Sequence, residues 1–440
     1  MADNLKEWIT AHLWRSKTAR SVAMLIAGTA GAQALTILSA PFVTRLYGPA
    51  AYGVFGVFSS LLAILASIGA MSYPMALVLP KEHREAVHVT RVSVIVALAV
   101  AVLLTLLWLL FQDSLKNLRG IAELGDYIGL LPLALLAGTW AQIATQWLTR
   151  RRDFKSISTI TLFNAVWTNA ARVLIGLAWP AVAVLVWVYI LGQAALAARM
   201  AQVVRGGDRG ESQEFSDPAS KPARLFDAAW KYRDFPFYRA PQDFINAVSR
   251  GVPVIVLSSM SGPVAAGLYS LATQLMGMPS SLLGNAVVSV LYPDMVQRVH
   301  EGRSLTSIIV RGTAILALVG LIPFGALCLF GPSLFAVVFG EGWRGAGSYC
   351  QWLAVFYYLN FINKPAVAAI PTLGAQRGLL TYEVVGTLAK LGGVYAGFRL
   401  FGSDLAAVAL FSVTGAAAYA ALIAWVILVS SGKDANGQTG

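Results

Sequence analysis

Apolar stretches of about twenty residues, parted by short polar or glycine- and proline-marked breaks, recur along the whole chain of 440 residues. A helix needs about 20 residues to cross hydrocarbon about 30 Å thick. The pattern predicts twelve such helices, at 21–44, 52–79, 92–112, 127–149, 157–179, 181–203, 241–260, 263–292, 307–330, 346–371, 378–398 and 404–430. Trp179-Pro180 parts the fifth helix from the sixth, and Ser261-Gly262-Pro263 parts the seventh from the eighth. Each undivided run would be too long for one crossing, and both are natural turn sequences. The expected fold is an all-α polytopic membrane protein.

Composition agrees with this pattern. Hydrophobic residues make up 57% and charged residues 12%, about half the charged fraction usual in soluble domains. A soluble enzyme, a disordered regulator and a fibrous protein are excluded. Cys328 and Cys350 both lie in apolar stretches and support neither a disulfide framework nor a metal site. The basic start (Lys6, Arg15, Lys17, Arg20) precedes an apolar run too long for a signal-peptide core, so a retained first span is expected. Trp8, Leu13 and Trp14 interleave with those charges, which suits either an interfacial helix or an unstructured basic leader.

The net charge of +12 points first to nucleic acid, but its distribution points elsewhere. With the N-terminus in the cytoplasm, 23 lysines and arginines fall on the cytoplasmic side and 5 on the outer side. The positive-inside rule then predicts both termini in the cytoplasm and no nucleic-acid partner. Five basic residues remain within spans, Arg172, Arg250, Arg311, Lys364 and Lys390, with Glu383 as the one acid beside them. A charge at the centre of a span costs about 2.5–3.5 kcal/mol on the lenient scale. Such residues either line a water-filled cavity or reach the interface by their long stems. For Arg311, near the start of its span, the two readings balance, and Arg250, in mid-span, is the leading cavity residue.

The halves share a signature. Gly48-Pro49-Ala50-Ala51-Tyr52-Gly53-Val54-Phe55 returns as Gly262-Pro263-Val264-Ala265-Ala266-Gly267-Leu268-Tyr269, 214 residues later. With six helices before and six after, this predicts two lobes related by a pseudo-two-fold axis along the membrane normal, with a central site between them. The expected division is a cytoplasmic N-terminal segment 1–20, an N-lobe 21–203, a linker 204–240 rich in Gly, Ser, Pro and charge, a C-lobe 241–430 and a cytoplasmic tail 431–440. Pro41 and Pro253, one in the first helix of each lobe, are candidate hinges, although prolines in spans are also routine.

The stretch Pro41-Phe42-Val43-Thr44-Arg45-Leu46-Tyr47-Gly48-Pro49 followed by Tyr52-Gly53 resembles a corner of the bacterial Wzx-type oligosaccharide flippases. Tyr73-Pro74 through Pro80-Lys81 is similar to the same family, as are Lys231-Tyr232-Arg233-Asp234-Phe235-Pro236, Asn246 through Arg250, Gly267 through Ala272, Met278-Pro279 and Leu291-Tyr292-Pro293. This family lies in the multidrug/oligosaccharidyl-lipid/polysaccharide superfamily. The resemblance covers the first 90 residues and roughly 228–295; elsewhere it rests on helix number and charge placement. It implies a MATE-like fold in the bacterial cytoplasmic (inner) membrane. It also implies transfer of an undecaprenyl-pyrophosphate-linked oligosaccharide to the outer leaflet, for O-antigen, capsule or exopolysaccharide. Partners on this reading are membrane lipid, a polysaccharide polymerase and chain-length proteins, with the transporter itself a monomer.

A pyrophosphate head cannot cross hydrocarbon without counter-charge, and arginine matches phosphate oxygens in bidentate fashion. Arg250, Lys364, Lys390, Arg172 and Arg311 are therefore the candidate cationic lining. Gln33, Asn246, Asn285, Asn360 and Asn363, with Asn164 and Asn169, are amides available to sugars, each equally suited to helix-to-helix hydrogen bonding. Glu383 lies two turns from Lys390 on nearly the same helix face. It either neutralises a lysine or exchanges a proton or sodium ion during transport. No cofactor is expected, since the chain has no P-loop, no nucleophile elbow and no metal-ligand cluster. A multidrug exporter of the same fold remains the alternative, although its cationic substrates call for an acidic cavity. A membrane glycan polymerase is a further alternative, disfavoured by short outer loops.

Overall fold

The computed structural model describes residues 17–211, 225–301 and 303–435. The segment before residue 17 and the centre of the anticipated linker, 212–224, lie outside the described residues. Helix α1 (Lys17–Gly69) carries the first two expected spans, with helical dihedrals interrupted at Gly48 (φ 69°, ψ 171°). Short α2 (Tyr73–Ala76) leads to α3 (His83–Lys116). A 3-10 segment, Ala122–Leu130, runs into α4 (Leu131–Arg150), and α5 (Phe154–Ala178) and α6 (Val182–Glu211) follow. The gap between α5 and α6 contains Trp179-Pro180, where the sequence places a turn.

Next come α7 (Leu225–Lys231), a π turn at Phe235–Arg239 and the long α8 (Ala240–Pro279), interrupted at Gly262 (φ 82°, ψ 179°). The two glycine breaks share one backbone conformation, unfavourable for residues with a Cβ, at the same 214-residue offset as the sequence repeat. A π turn at Ser280–Gly284 and α9 (Asn285–His300) follow, then α10 (Leu305–Phe339). After a 3-10 turn at Glu341–Trp343 come α11 (Arg344–Ile362), α12 (Lys364–Ala369), α13 (Gln376–Phe401) and α14 (Asp404–Ala435).

Among the described residues, eight helices are long and apolar enough to cross a membrane. Two of these, α1 and α8, each carry a pair of expected spans across a glycine break, and the tenth and eleventh spans correspond to α11–α12 and α13. Several boundaries differ from the hydropathy reading; the second span ends at Gly69, not 79, and the ninth runs on to Phe339. Helix α3 begins at His83, not 92, because its first turns are polar yet helical. The eighth span is divided after Pro279, and the tenth is divided at Asn363, just before Lys364-Pro365. In both cases a proline without an N–H interrupts the hydrogen-bond ladder.

The helices gather into two compact units. The first contains the chain up to Leu46, Phe58–Leu118 and Ala122–Ala247; the second contains Tyr47–Val57, Arg119–Ile121 and the chain from Val248 onward. The first has a core of Leu77, Ala86, Val89, Leu148 and Met200, joined by Ala228 and Tyr232 from α7 and its C-terminal side. Tyr73 donates to the carbonyl of Ala229 at 3.1 Å, Tyr232 donates to Glu85 at 3.1 Å, and Lys231 pairs with Glu85. Trp147 Nε1 donates to Thr90 at 2.9 Å. Thus Tyr73 and Lys231-Tyr232, among the residues that carry the family resemblance, fasten α7 to its own unit.

The second unit has a core of Met295, Ile309, Ala369, Ile370, Leu422 and Val426. Many apolar side chains on the long helices face outward; Leu110 is 74% exposed and Ile322 78%, as a lipid solvent requires. Pro332 lies within α10 and cannot donate to the carbonyl of Cys328 four residues back. Gln351 Nε2 of α11 makes that bond instead, at 3.0 Å. Reciprocal glycines, Gly331 and Gly347, let α10 and α11 approach closely: a Cβ on Gly331 would lie 2.5 Å from the carbonyl oxygen of Gly347.

Candidate functional site

A cationic group forms within the second unit. Arg250 projects from α8, Lys364 opens α12 and Lys390 lies on α13. Arg250 acts electrostatically on both lysines and on the tyrosines Tyr357 and Tyr419. Lys390 Nζ donates to Ser249 Oγ at 2.6 Å, which ties α13 to α8 beside Arg250. Glu383 acts on Lys390, as their shared helix face suggests, and on Tyr382 and Tyr419. Three cations with one carboxylate leave this cluster positive.

Gly284 makes room for the Lys364 stem, and Gly415 makes room for the Phe356 ring, 2.5 Å from its would-be Cβ, beside the Lys390 stem. A Cβ on Gly284 would lie 2.9 Å from Lys364 Cγ, and one on Gly415 would lie 3.3 Å from Lys390 Cδ. Sugars and phosphates would meet hydroxyl and amide groups here as well. Asn360 Nδ2 donates to the Tyr419 hydroxyl at 2.7 Å, and the Tyr382 and Tyr419 rings stand 6.5 Å apart. Asn363 is 2% exposed, and its Oδ1 has no hydrogen-bond partner among the described residues. A buried amide oxygen without a donor costs about 1–3 kcal/mol and is ready to accept a hydrogen bond.

The other sequence candidates lie elsewhere. Arg172 is on α5 in the first unit, where it acts on Tyr189. Arg311 is exposed early in α10 and is absent from the charges acting on Lys364 and Lys390. Asn169 donates to Thr36 and Ala165 and accepts from Ser39, so it works as a hydrogen-bond bridge between α5 and α1. Asn246 donates to the carbonyl of Gln242, one turn back in α8. Gln33 is half-buried on α1, and the side chain of Asn285 lies outside the described residues. Pro41 and Pro253 sit within helices whose non-helical residues are Gly48 and Gly262.

Sequence reading missed the tyrosines and glycines of this cluster. One signal was available: Tyr357, Asn360 and Lys364 recur at helical spacing and so share a face. Among the described residues, an all-helical body of membrane-crossing segments with polar and charged groups gathered among the helices defines a multi-pass membrane protein. The same fold occurs in a multidrug resistance MATE family transporter of the MOP superfamily, solved in an inward-facing conformation, with a TM-score of 0.68 and 16% identity over 91% of this chain and 95% of that one. It recurs in the eukaryotic MATE transporter AtDTX14 with a TM-score of 0.55 and 12% identity over 96% of this chain and 98% of that one. These likenesses establish the MATE-like twelve-helix, two-lobe architecture.

Residues 42–347 match the model of the polysaccharide biosynthesis protein family, and the chain belongs to that family, as the motif resemblance anticipates. The succinoglycan biosynthesis transport protein ExoT of Rhizobium meliloti (strain 1021) is 25% identical over 388 residues, covering 86% of this chain and 74% of that protein. The teichuronic acid biosynthesis protein TuaB of Bacillus subtilis (strain 168) is 25% identical over 146 residues, covering 33% of this chain and 30% of that protein.

Proposed function

We propose that the protein moves a polyprenyl-diphosphate-linked oligosaccharide repeat unit from the cytoplasmic to the outer leaflet of the bacterial cytoplasmic membrane by alternating access. Both termini would be cytoplasmic, and a polymerase on the outer side would receive the sugar. The observation that carries this reading is the gathering of Arg250, Lys364 and Lys390 in one unit with Glu383 as the one acid acting on them among the described residues. An anionic diphosphate supplies the charge these groups lack, and arginine offers it paired donors. Asn360, Asn363 and the Tyr419 hydroxyl suit sugar hydroxyls. Glu383, beside Lys390, is the group for coupling to a proton or sodium ion.

Export of cationic drugs is disfavoured by the same positive balance, since like charges in a low-dielectric cavity repel strongly. The test is surface polysaccharide in cells whose own copy is deleted. Arg250→Ala and Lys390→Met each abolish export while the protein still reaches the membrane, and Arg250→Lys keeps part of it. Normal export from the Arg250→Ala/Lys390→Met double variant overturns the reading. Drug sensitivity on deletion, with surface glycan intact, would favour the exporter.

A further inference from the structure

A groove of about 150 Å³ opens between α10 and α11, lined chiefly by Leu321, Phe324, Gly325, Cys328, Val355 and Tyr358. Its lining is almost wholly apolar. The Tyr358 hydroxyl is spent on the carbonyl of Ala317, at 3.2 Å, and the Cys328 carbonyl is spent on Gln351. A sugar or a hydrated ion would find no partner there. A cavity of this size and character takes up a benzene-sized apolar guest, comparable to one isoprene unit.

The groove is built for access. Gly325 has no atom within 4 Å of where its Cβ would stand, so its missing side chain is the open space. Leu321 and Val355 on the rim are 60% and 48% exposed, continuous with outward-facing Leu318 and Ile322. The groove also adjoins the cationic cluster through α11. Tyr358 faces the groove while its neighbour Tyr357 feels the charge of Arg250, as consecutive residues on a helix point about 100° apart. Tyr358 lies near the end of α11 and Lys364 opens α12 six residues later, about 9 Å at a helical rise of 1.5 Å per residue, a length a few isoprene units span.

We infer that this groove holds the isoprenoid chain of an amphiphile whose diphosphate meets Arg250, Lys364 and Lys390. The inference rests on the anionic head site proposed above and adds a second, apolar site to it. Helix α11 would thus turn Tyr357 toward the cationic cluster on α8, α12 and α13 and a pitted apolar face toward the branched tail. The membrane would be the route by which the tail arrives.

The experiment measures binding of isoprenyl diphosphates of one and of eleven units to the full chain in lipid nanodiscs. Gly325→Leu puts its Cβ in open space and its side chain in the groove, and should weaken the eleven-unit probe about tenfold while leaving the one-unit probe unchanged. Comparing variant with wild type cancels bulk partitioning into the bilayer. Val355→Trp, at an exposed rim position, serves as a second variant in case the first misfolds. The eleven-unit probe, and not the one-unit probe, should also slow alkylation of Cys328 by an apolar maleimide, with Cys350 fully buried. Unchanged eleven-unit affinity in both variants, with Cys328 unprotected, overturns the groove and leaves the head site standing. Failure of wild type to bind either probe, or full binding by Arg250→Ala, overturns the head site and the groove with it.

Discussion

Gly53 and Gly267 face each other as symmetry-related equivalents. A Cβ on Gly53 would overlap the carbonyl oxygen of Pro263, and one on Gly267 would overlap that of Pro49. Each would also approach the other glycine's nitrogen, at 2.8 and 2.9 Å. The offset of 214 residues that relates Gly53 to Gly267 also relates Pro49 to Pro263. The repeated corner is therefore a self-complementary contact, in which each copy supplies the gap that the other's backbone fills. Both copies belong to the second compact unit.

Because the contact is shared, its substitutions should not add. Gly53→Ala and Gly267→Ala should each destabilise the protein by about 1–3 kcal/mol, the usual cost of overpacking. Once one methyl has forced the helices apart, the second should cost less. Thermal unfolding of both single variants and the double variant in detergent measures this. Strict additivity would show that the two glycines do not share one contact.

Arg150 should act as the clasp of the turn after α2. Its guanidinium donates to the carbonyls of Leu77, Pro80, Lys81 and Glu82, the oxygens of the turn between α2 and α3. Arg150→Ala should cost about 1.5–3 kcal/mol, the range for hydrogen bonds to a charged group. Arg150→Lys should rescue little, since an ammonium cannot fork across several carbonyls. Hydrogen exchange over residues 77–86 reads the effect, and unchanged protection in the alanine variant would remove Arg150 from this role.

What the sequence disclosed, and what it hid, follows from the reach of each signal. Gly48-Pro49 and Gly262-Pro263 announced their helix breaks because backbone restriction is a local property. The electrostatic influence of Glu383 on Lys390 was legible because both lie on nearly one helix face. The uses of Gly284 and Gly415 were not, since a glycine's service as room for a lysine or an aromatic ring depends on another helix packing opposite. Tyr357, Tyr382 and Tyr419 were hidden for a related reason: an aromatic residue in an apolar span looks like core until its neighbours are known. Asn169 fell to the commoner of its two readings, as a bridge between helices.

Asp434 predicts a dependence on acid. It accepts from Ser304 Oγ at 2.7 Å and from the backbone N–H groups of Leu305 and Thr306 at 3.2 Å, so α14 ends by capping the start of α10. Burial alone would raise its carboxyl, but the hydrogen bonds from Thr306, Ser304 and Leu305 outweigh this and hold it below its ordinary value. A carboxylate lowered on folding adds stability above its unfolded value, and loses it as the pH falls through the lower folded value. The first turn of α10 should therefore lose protection against hydrogen exchange, measured relative to the intrinsic rate at each pH, as the pH falls, and Asp434→Asn should remove that dependence at a cost of about 1 kcal/mol or less at this largely solvated site. An acid response unchanged in the variant would assign it to another group.

The bond from Gln351 to the carbonyl of Cys328 permits a test in which one substitution repairs another. Gln351→Leu should leave that carbonyl without a donor at about 1–3 kcal/mol, because Pro332 cannot supply the helical N–H. Pro332→Ala restores the missing donor within α10. The double variant Gln351→Leu/Pro332→Ala should then be more stable than Gln351→Leu alone, with an interaction energy of about 0.5–3 kcal/mol in the cycle. Denaturation midpoints of the four proteins measure it. Were the alanine to give no rescue, the glutamine would be stabilising α11 by packing and not by replacing the hydrogen bond that proline removed.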